Sequence, residues 1–105
     1  MEIMDTPLMS SISRYLKYKA VLPSPWFTVY PDVGNLSAWC NDTAAEISLG
    51  RNGMVGVHLK DTLAVTEDFP GKFKCVPFGS GCVDFPACLG QLEREGYRGP
   101  YMIEM

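Results

Sequence analysis

Residues 101–105 read Tyr-Met-Ile-Glu-Met, a short apolar run with one carboxylate inside it, and no turn or helix signal follows. The other end has the same character: residues 1–4 read Met-Glu-Ile-Met, with Glu2 among apolar neighbours. Both stretches read as buried strands. The simplest expectation is that these 105 residues are a piece of something larger.

Between the two ends, strands and helices alternate. Residues 10–22 predict a helix, with Ser10 or Ser11 as N-cap, a rough helical period at Ile12, Tyr15, Leu16 and Lys19, and Pro23 and Pro25 as terminators. The aromatic and β-branched run at 26–32 predicts a second strand. Residues 41–50 predict a short helix, capped by Asn41 or Asp42, with Gly50 at the left-handed position that closes many helices. Residues 54–61 predict a third strand, followed by a long connection over 62–83. Residues 84–96 give the clearest helix: Asp84 as cap, Pro86 in the first turn, an apolar face at Phe85, Leu89 and Leu92, and Gly96 at the end. The run 101–105 is the fourth strand.

Strand–helix–strand order with short links implies parallel pairing through right-handed crossovers. Four nearly continuous apolar strands suit a sheet covered on both faces, yet three helices cover only one. The expected fold is therefore α/β: half of a TIM barrel, four parallel strands with three intervening helices, since a full (β/α)₈ barrel needs ~250 residues.

Composition narrows the function. A net charge of −3 gives no basic footprint for nucleic acid. No apolar run approaches the ~20 residues of a membrane span, and Asp5, Thr6, Pro7, Ser10 and Ser11 break up any leader-like start. A cytoplasmic location is expected. Cys40, Cys75, Cys82 and Cys88 could form two disulfides, but their spacing matches no zinc pattern and the chain is not loop-rich; reduced thiols are expected.

Each strand carries one metal-capable side chain at or near its C-terminal end: Glu2, Asp32, His58 and Glu104, separated by 30, 26 and 46 residues. The first two gaps are one strand–helix unit long, and the third is one unit plus the 62–83 connection. The C-terminal ends of parallel barrel strands converge on one rim, where barrel active sites are built. Oxygen and imidazole donors together suit Mn²⁺, Mg²⁺, Co²⁺ or Zn²⁺ without choosing among them. Taken singly, each residue has a plainer reading: His58 as a hydrogen-bonded structural residue, Asp32 as a turn former, Glu2 as a fraying end, Glu104 as an edge charge. Four such residues at this spacing make coincidence the weaker account.

Two further features bear on an anionic ligand. Gly79 and Gly81 precede the helix capped by Asp84, where exposed amides can hold phosphate, although a bare G-x-G also makes a simple flexible turn. Lys60 points to the same side as His58 in a strand and can either contact an anionic substrate or be solvated. Trp26, Phe27 and Tyr30 read as packing, and Trp39 is open to either role.

Five stretches in order, "MEIMDTPLM" (1–9), "YPDVGNLSAW" (30–39), "VHLKDT" (57–62), "VPFGSGCVDF" (76–85) and "GYRGPYMIEM" (96–105), closely resemble the bacterial L-ribulose-5-phosphate (L-xylulose-5-phosphate) 3-epimerases of L-ascorbate and pentose use, which are xylose-isomerase-like TIM barrels. The resemblance spans essentially the whole chain. It implies that residues 1–105 are the C-terminal half of the barrel domain, strands five to eight, without the first four units or the final helix. It implies Glu2, Asp32, His58 and Glu104 as metal ligands, and Glu2 and Glu104 as an acid–base pair that epimerises a ketopentose 5-phosphate at C3 through an enediolate. It further implies a divalent-metal cofactor, a small sugar phosphate as partner, neither nucleic acid nor membrane, and a homo-oligomer for the full-length enzyme. Ser80 departs from the family pattern, where an acid is common, and so do Cys40 and Cys75, where Gly or Asp and Asp or Asn are usual. A related hexulose-phosphate isomerase, or an inactive, self-associating remnant, are the alternatives; a nuclease acting at abasic DNA sites is disfavoured by the acidic charge. The 105-residue chain by itself is expected to show little or no turnover.

Overall fold

Side-chain caps place three helices where the sequence calls for them. The structure, a computed structural model, describes residues 1–105. Helix α1 (Ile12–Val21) starts at Ser11, whose hydroxyl accepts from the Arg14 amide at 3.1 Å. Helix α2 (Val33–Ala38) starts at Asp32, helix α3 (Thr43–Gly50) at Asp42 and helix α4 (Phe85–Arg94) at Asp84, each carboxylate accepting an amide three residues on. A 3₁₀ turn, Pro7–Met9, precedes α1.

The extended segments run side by side in chain order and all parallel. Glu2 bridges Tyr30, Val29 bridges Met54, and Asp32 bridges His58. Only β1 (Val57–Leu59) and β4 (Tyr101–Ile103) form a continuous parallel ladder, in the register His58 opposite Met102. The expected strands at 1–4 and 26–32 are thus extended segments joined by isolated bridges. Pro31 explains part of this, since it has no N–H to donate; its carbonyl accepts from His58 at 2.8 Å. The expected strand 54–61 is shorter as well: the ladder with β4 ends at Leu59, and Asp61 pairs in a different sheet.

The connection 62–83 holds more structure than expected. Strands β2 (Asp61–Leu63) and β3 (Lys72–Val76) form an antiparallel hairpin with an irregular register, Asp61 opposite Val76 and Leu63 opposite Lys72. More residues lie between the paired positions on β3 than on β2, so β3 is bulged, and Cys75 takes a left-handed φ of 58° there. Phe73 stacks on Trp39 with centroids 5.3 Å apart, and the Trp39 indole N–H donates to the Met4 carbonyl, which ties the hairpin to the first segment.

Two apolar clusters lie between the strand segments and the helices. Ile3 and Val29 pack with Ile12, Tyr15 and Leu36. Val57 packs with Val33, Ile47, Cys88 and Leu92. In α4 the buried residues are Cys88 and Leu92, with Phe85 partly buried against them, and Leu89, expected inside, is exposed. Gly50 does not take the left-handed conformation expected of it: it ends α3 as a helical residue, and a Cβ there would crowd Ile12 Cδ1 at 3.2 Å. Gly96 does take it, with φ of 71°. Strand β4 has no helix over it, and Tyr101, Met102 and Ile103 are all exposed. All four cysteines are free thiols.

Candidate metal centre

The segment order brings Glu2, Asp32, His58 and Glu104 to one end of the array. One ligand-type atom from each lies within 4.8 Å of every other. His58 Nδ1 is 3.2 Å from Glu2 Oε1 and 3.7 Å from Asp32 Oδ2. The imidazole is held by the Tyr30 ring, 4.5 Å away between centroids. Gly56 leaves the space for that ring, since a Cβ there would meet Tyr30 Cε2 at 2.6 Å.

Asp32 serves two purposes with its two oxygens. Oδ1 accepts from the Asn35 amide at 2.8 Å and starts α2, while Oδ2 faces the cluster. The turn-former and ligand readings of this residue are thus compatible. Its side chain is fully buried, and burial pushes its pKa up to about 6. The neighbouring Glu104 adds to the rise; the Asn35 amide, Lys60 and His58 oppose it. Glu104 goes the other way. Burial works to raise it, but the hydrogen bond and charge of Lys60, with help from His58 and Asp32, hold it below the usual carboxylate range.

Lys60, read as either solvated or in contact with an anionic substrate, is not solvated: it is buried beside the cluster. Its ammonium is 3.4 Å from Asp32 Oδ2 and 3.2 Å from Glu104 Oε2. Gly79 and Gly81, expected to offer amides to phosphate, spend both on a protein carboxylate: each donates at 2.9 Å to Asp61 Oδ2. Thr62 and Val83 amides donate to Asp61 Oδ1. The anion held by this loop is Asp61 itself, which sequence reasoning passed over; an aspartate beside a β-hairpin and a G-x-G twenty residues on was the available signal. Asn35 and Lys74 were also missed. Both line a cavity of about 110 Å³ beside Glu2, Asp5, Lys60 and Glu104.

The cluster fits a divalent cation. Asp32 Oδ2, His58 Nδ1 and Glu104 Oε2 are buried and meet no well-formed hydrogen bond; their polar neighbours are the Lys60 ammonium, 3.2–3.4 Å from both oxygens, and Glu2 Oε1, 3.2 Å from the imidazole nitrogen. Buried polar atoms are rarely left so, and here three of them converge. Three carboxylates and one imidazole are also a donor set that hard and borderline divalent ions accept.

A family model described as xylose isomerase-like TIM barrel matches residues 1–105. The chain is 57% identical over 104 residues to the putative L-ribulose-5-phosphate 3-epimerase SgbU of Escherichia coli, covering 99% of this chain and 36% of that protein. It is 56% identical over 105 residues to the L-ribulose-5-phosphate 3-epimerase UlaE of Escherichia coli, covering 100% of this chain and 35% of that protein. The chain therefore spans about a third of the length of the curated relatives it matches. Among solved structures it resembles a D-allulose 3-epimerase from Methylomonas sp., with a TM-score of 0.76 at 19% identity over 98% of this chain and 33% of that one. It also resembles the 3-keto-D-glucoside 4-epimerase YcjR from E. coli, with a TM-score of 0.67 at 17% identity over 94% of this chain and 34% of that one. No helix is long and apolar enough to cross a membrane.

Proposed function

The chain belongs to the xylose isomerase-like TIM barrel family, and from that premise we propose that it forms strands five to eight of a metal-dependent ketopentose-5-phosphate 3-epimerase. In this reading residues 1–105 are the C-terminal half of the barrel domain. The observation that carries the proposal is the convergence of Glu2, Asp32, His58 and Glu104, with a ligand-type atom of each within 4.8 Å of the others. The identity to L-ribulose-5-phosphate 3-epimerases supports the substrate, L-xylulose 5-phosphate interconverting with L-ribulose 5-phosphate.

The four side chains hold the cation, Mn²⁺, Zn²⁺, Mg²⁺ or Co²⁺. When bound, it supplies Lewis-acid polarisation of the ketose oxygens. Inversion at C3 needs a proton removed α to the C2 carbonyl and one returned on the opposite face, so two acid–base groups must flank the sugar. Glu2 and Glu104 suit this because they stand on the two outermost segments of the array: residue 2 bridges Tyr30, and the Glu104 amide donates to Leu59. In one direction one of these carboxylates accepts the C3 proton while the other, in its protonated form, gives one to the opposite face; in the reverse direction the roles exchange.

The test is turnover of L-xylulose 5-phosphate in D₂O with Mn²⁺. The intact protein should form L-ribulose 5-phosphate with solvent deuterium at C3. Turnover without exchange, or no turnover, overturns the proposal. The 105-residue chain assayed alone should show little activity, because β4 lies uncovered and Glu2 sits on a segment bridged on one side only. Rates within about tenfold of the intact protein would show that these residues suffice.

A further inference from the structure

Lys60 is the feature of the centre that neither cation binding nor proton transfer requires. Its side chain is 4% exposed, and its ammonium lies 3.4 Å from Asp32 and 3.2 Å from Glu104, on the same oxygens that face the candidate cation. The fold makes room for it. Gly34 in α2 faces the lysine stem, and a Cβ there would meet Lys60 Cγ at 2.5 Å and the Lys60 carbonyl at 2.8 Å. Burying an ammonium is costly without a paired charge, so a slot built around this one calls for an electrostatic reason.

Charge supplies it. Three carboxylates and one imidazole lie within 4.8 Å of one another, and the ammonium of Lys60 stands against two of those carboxylates. It is a positive charge supplied by the chain at the place where a divalent ion would supply its own. We propose that Lys60 is the built-in counter-ion of the centre: it keeps the acidic cluster assembled when no divalent ion is bound, and it weakens the binding of that ion by repulsion. The centre is then formed before the cation arrives and holds it less tightly than three uncompensated carboxylates would. This inference rests on the cation-binding part of the function proposed above.

The experiment replaces Lys60 in the intact protein with Met, which keeps the stem, and separately with Gln. Thermal melting without metal and calorimetric titration with Mn²⁺ are the readouts, and neither depends on turnover. Both variants should melt lower than the unaltered protein when metal-free, and should bind Mn²⁺ roughly tenfold or more tighter, as expected when a like charge a few ångströms away is removed. Variants that fold only when Mn²⁺ is added would be the same result in its extreme form. Equal or weaker Mn²⁺ affinity overturns the inference and makes Lys60 an organiser of the ligands. So does failure to fold even with saturating Mn²⁺, which would leave Lys60 a packing role. If the unaltered protein binds no Mn²⁺ at all, the cation site itself falls and the counter-ion reading with it, a result distinct from the other two.

Discussion

Two aspartates, Asp32 and Asp61, are both shut off from solvent, and their protons behave in opposite ways. Asp32 is 0% exposed and its pKa is pushed up to about 6; Asp61 is 2% exposed and its pKa is lowered. Burial raises both, and more at Asp32, which lies deeper in the protein. The donors differ as well. Asp61 receives four amide hydrogen bonds, from Gly81, Val83, Thr62 and Gly79, and together they outweigh its desolvation. Asp32 receives one, and its second oxygen has none. A buried carboxylate that the backbone has satisfied is a structural tie. One with a single amide donor, whose other oxygen meets only Lys60 and His58 side chains, keeps an oxygen turned to the acidic cluster.

The sharpest way to break this comparison is to remove each carboxylate and measure cation binding. In the intact protein, Asp32→Ala or His58→Ala should weaken Mn²⁺ binding by about a hundredfold or more, beyond the range typical of lost outer-shell partners. Asp61→Asn should leave affinity nearly unchanged if the protein still folds. Comparable losses from the Asp61 and Asp32 variants, read by calorimetry, would erase the distinction.

Stability should sort them the other way. Asp61→Asn leaves several buried amides short of an acceptor and should cost about 2–4 kcal/mol at pH 7, read by denaturant unfolding. The sign with pH follows from the lowered pKa. The contribution of Asp61 is full above its unfolded value, about 3.9, and is lost as pH falls through the lower folded value. The gap between variant and unaltered protein should therefore narrow below about pH 4; a gap constant from pH 7 to 3 would contradict the clamp.

The smallest effect is expected on the hairpin opposite Asp61. Cys75 holds a φ of 58° and Cys40 one of 60°, conformations that L side chains adopt at a cost. Cys75→Gly should stabilise the protein by about 0.5–1 kcal/mol. A neutral or negative change would mean that the Cys75 side chain compensates through contacts of its own.

The same residues show what could be read before the fold was known. Ser11, Asp42 and Asp84 are helix caps because of chemistry local to four residues, and they were legible. So was the rhythm that lines up Glu2, Asp32, His58 and Glu104, since parallel units return each strand end to one rim. Helix α2 was not, because six residues containing Gly34 and Asn35 show no amphipathic period. The hairpin was hidden by alternating lysines on β3 and by Pro70 and Gly71, which read as loop. The glycine amides were matched to the right charge but the wrong owner, because the hairpin that brings Asp61 to the G-x-G twenty residues on was itself not legible. The place of Lys60 depends on Gly34, 26 positions away, and was equally out of reach.

Asp32 also sets a limit on how this protein can vary. Its Oδ1 begins α2 and its Oδ2 faces the acidic cluster. Asparagine would keep the cap and give up the charge. Glutamate would keep the charge, and its extra methylene would carry the oxygen away from the Asn35 amide. No single replacement meets both demands, so any lineage that relaxes one must first restore the other by a change elsewhere. The side chain with the least solvent contact in the centre is thereby the one with the fewest mutational exits.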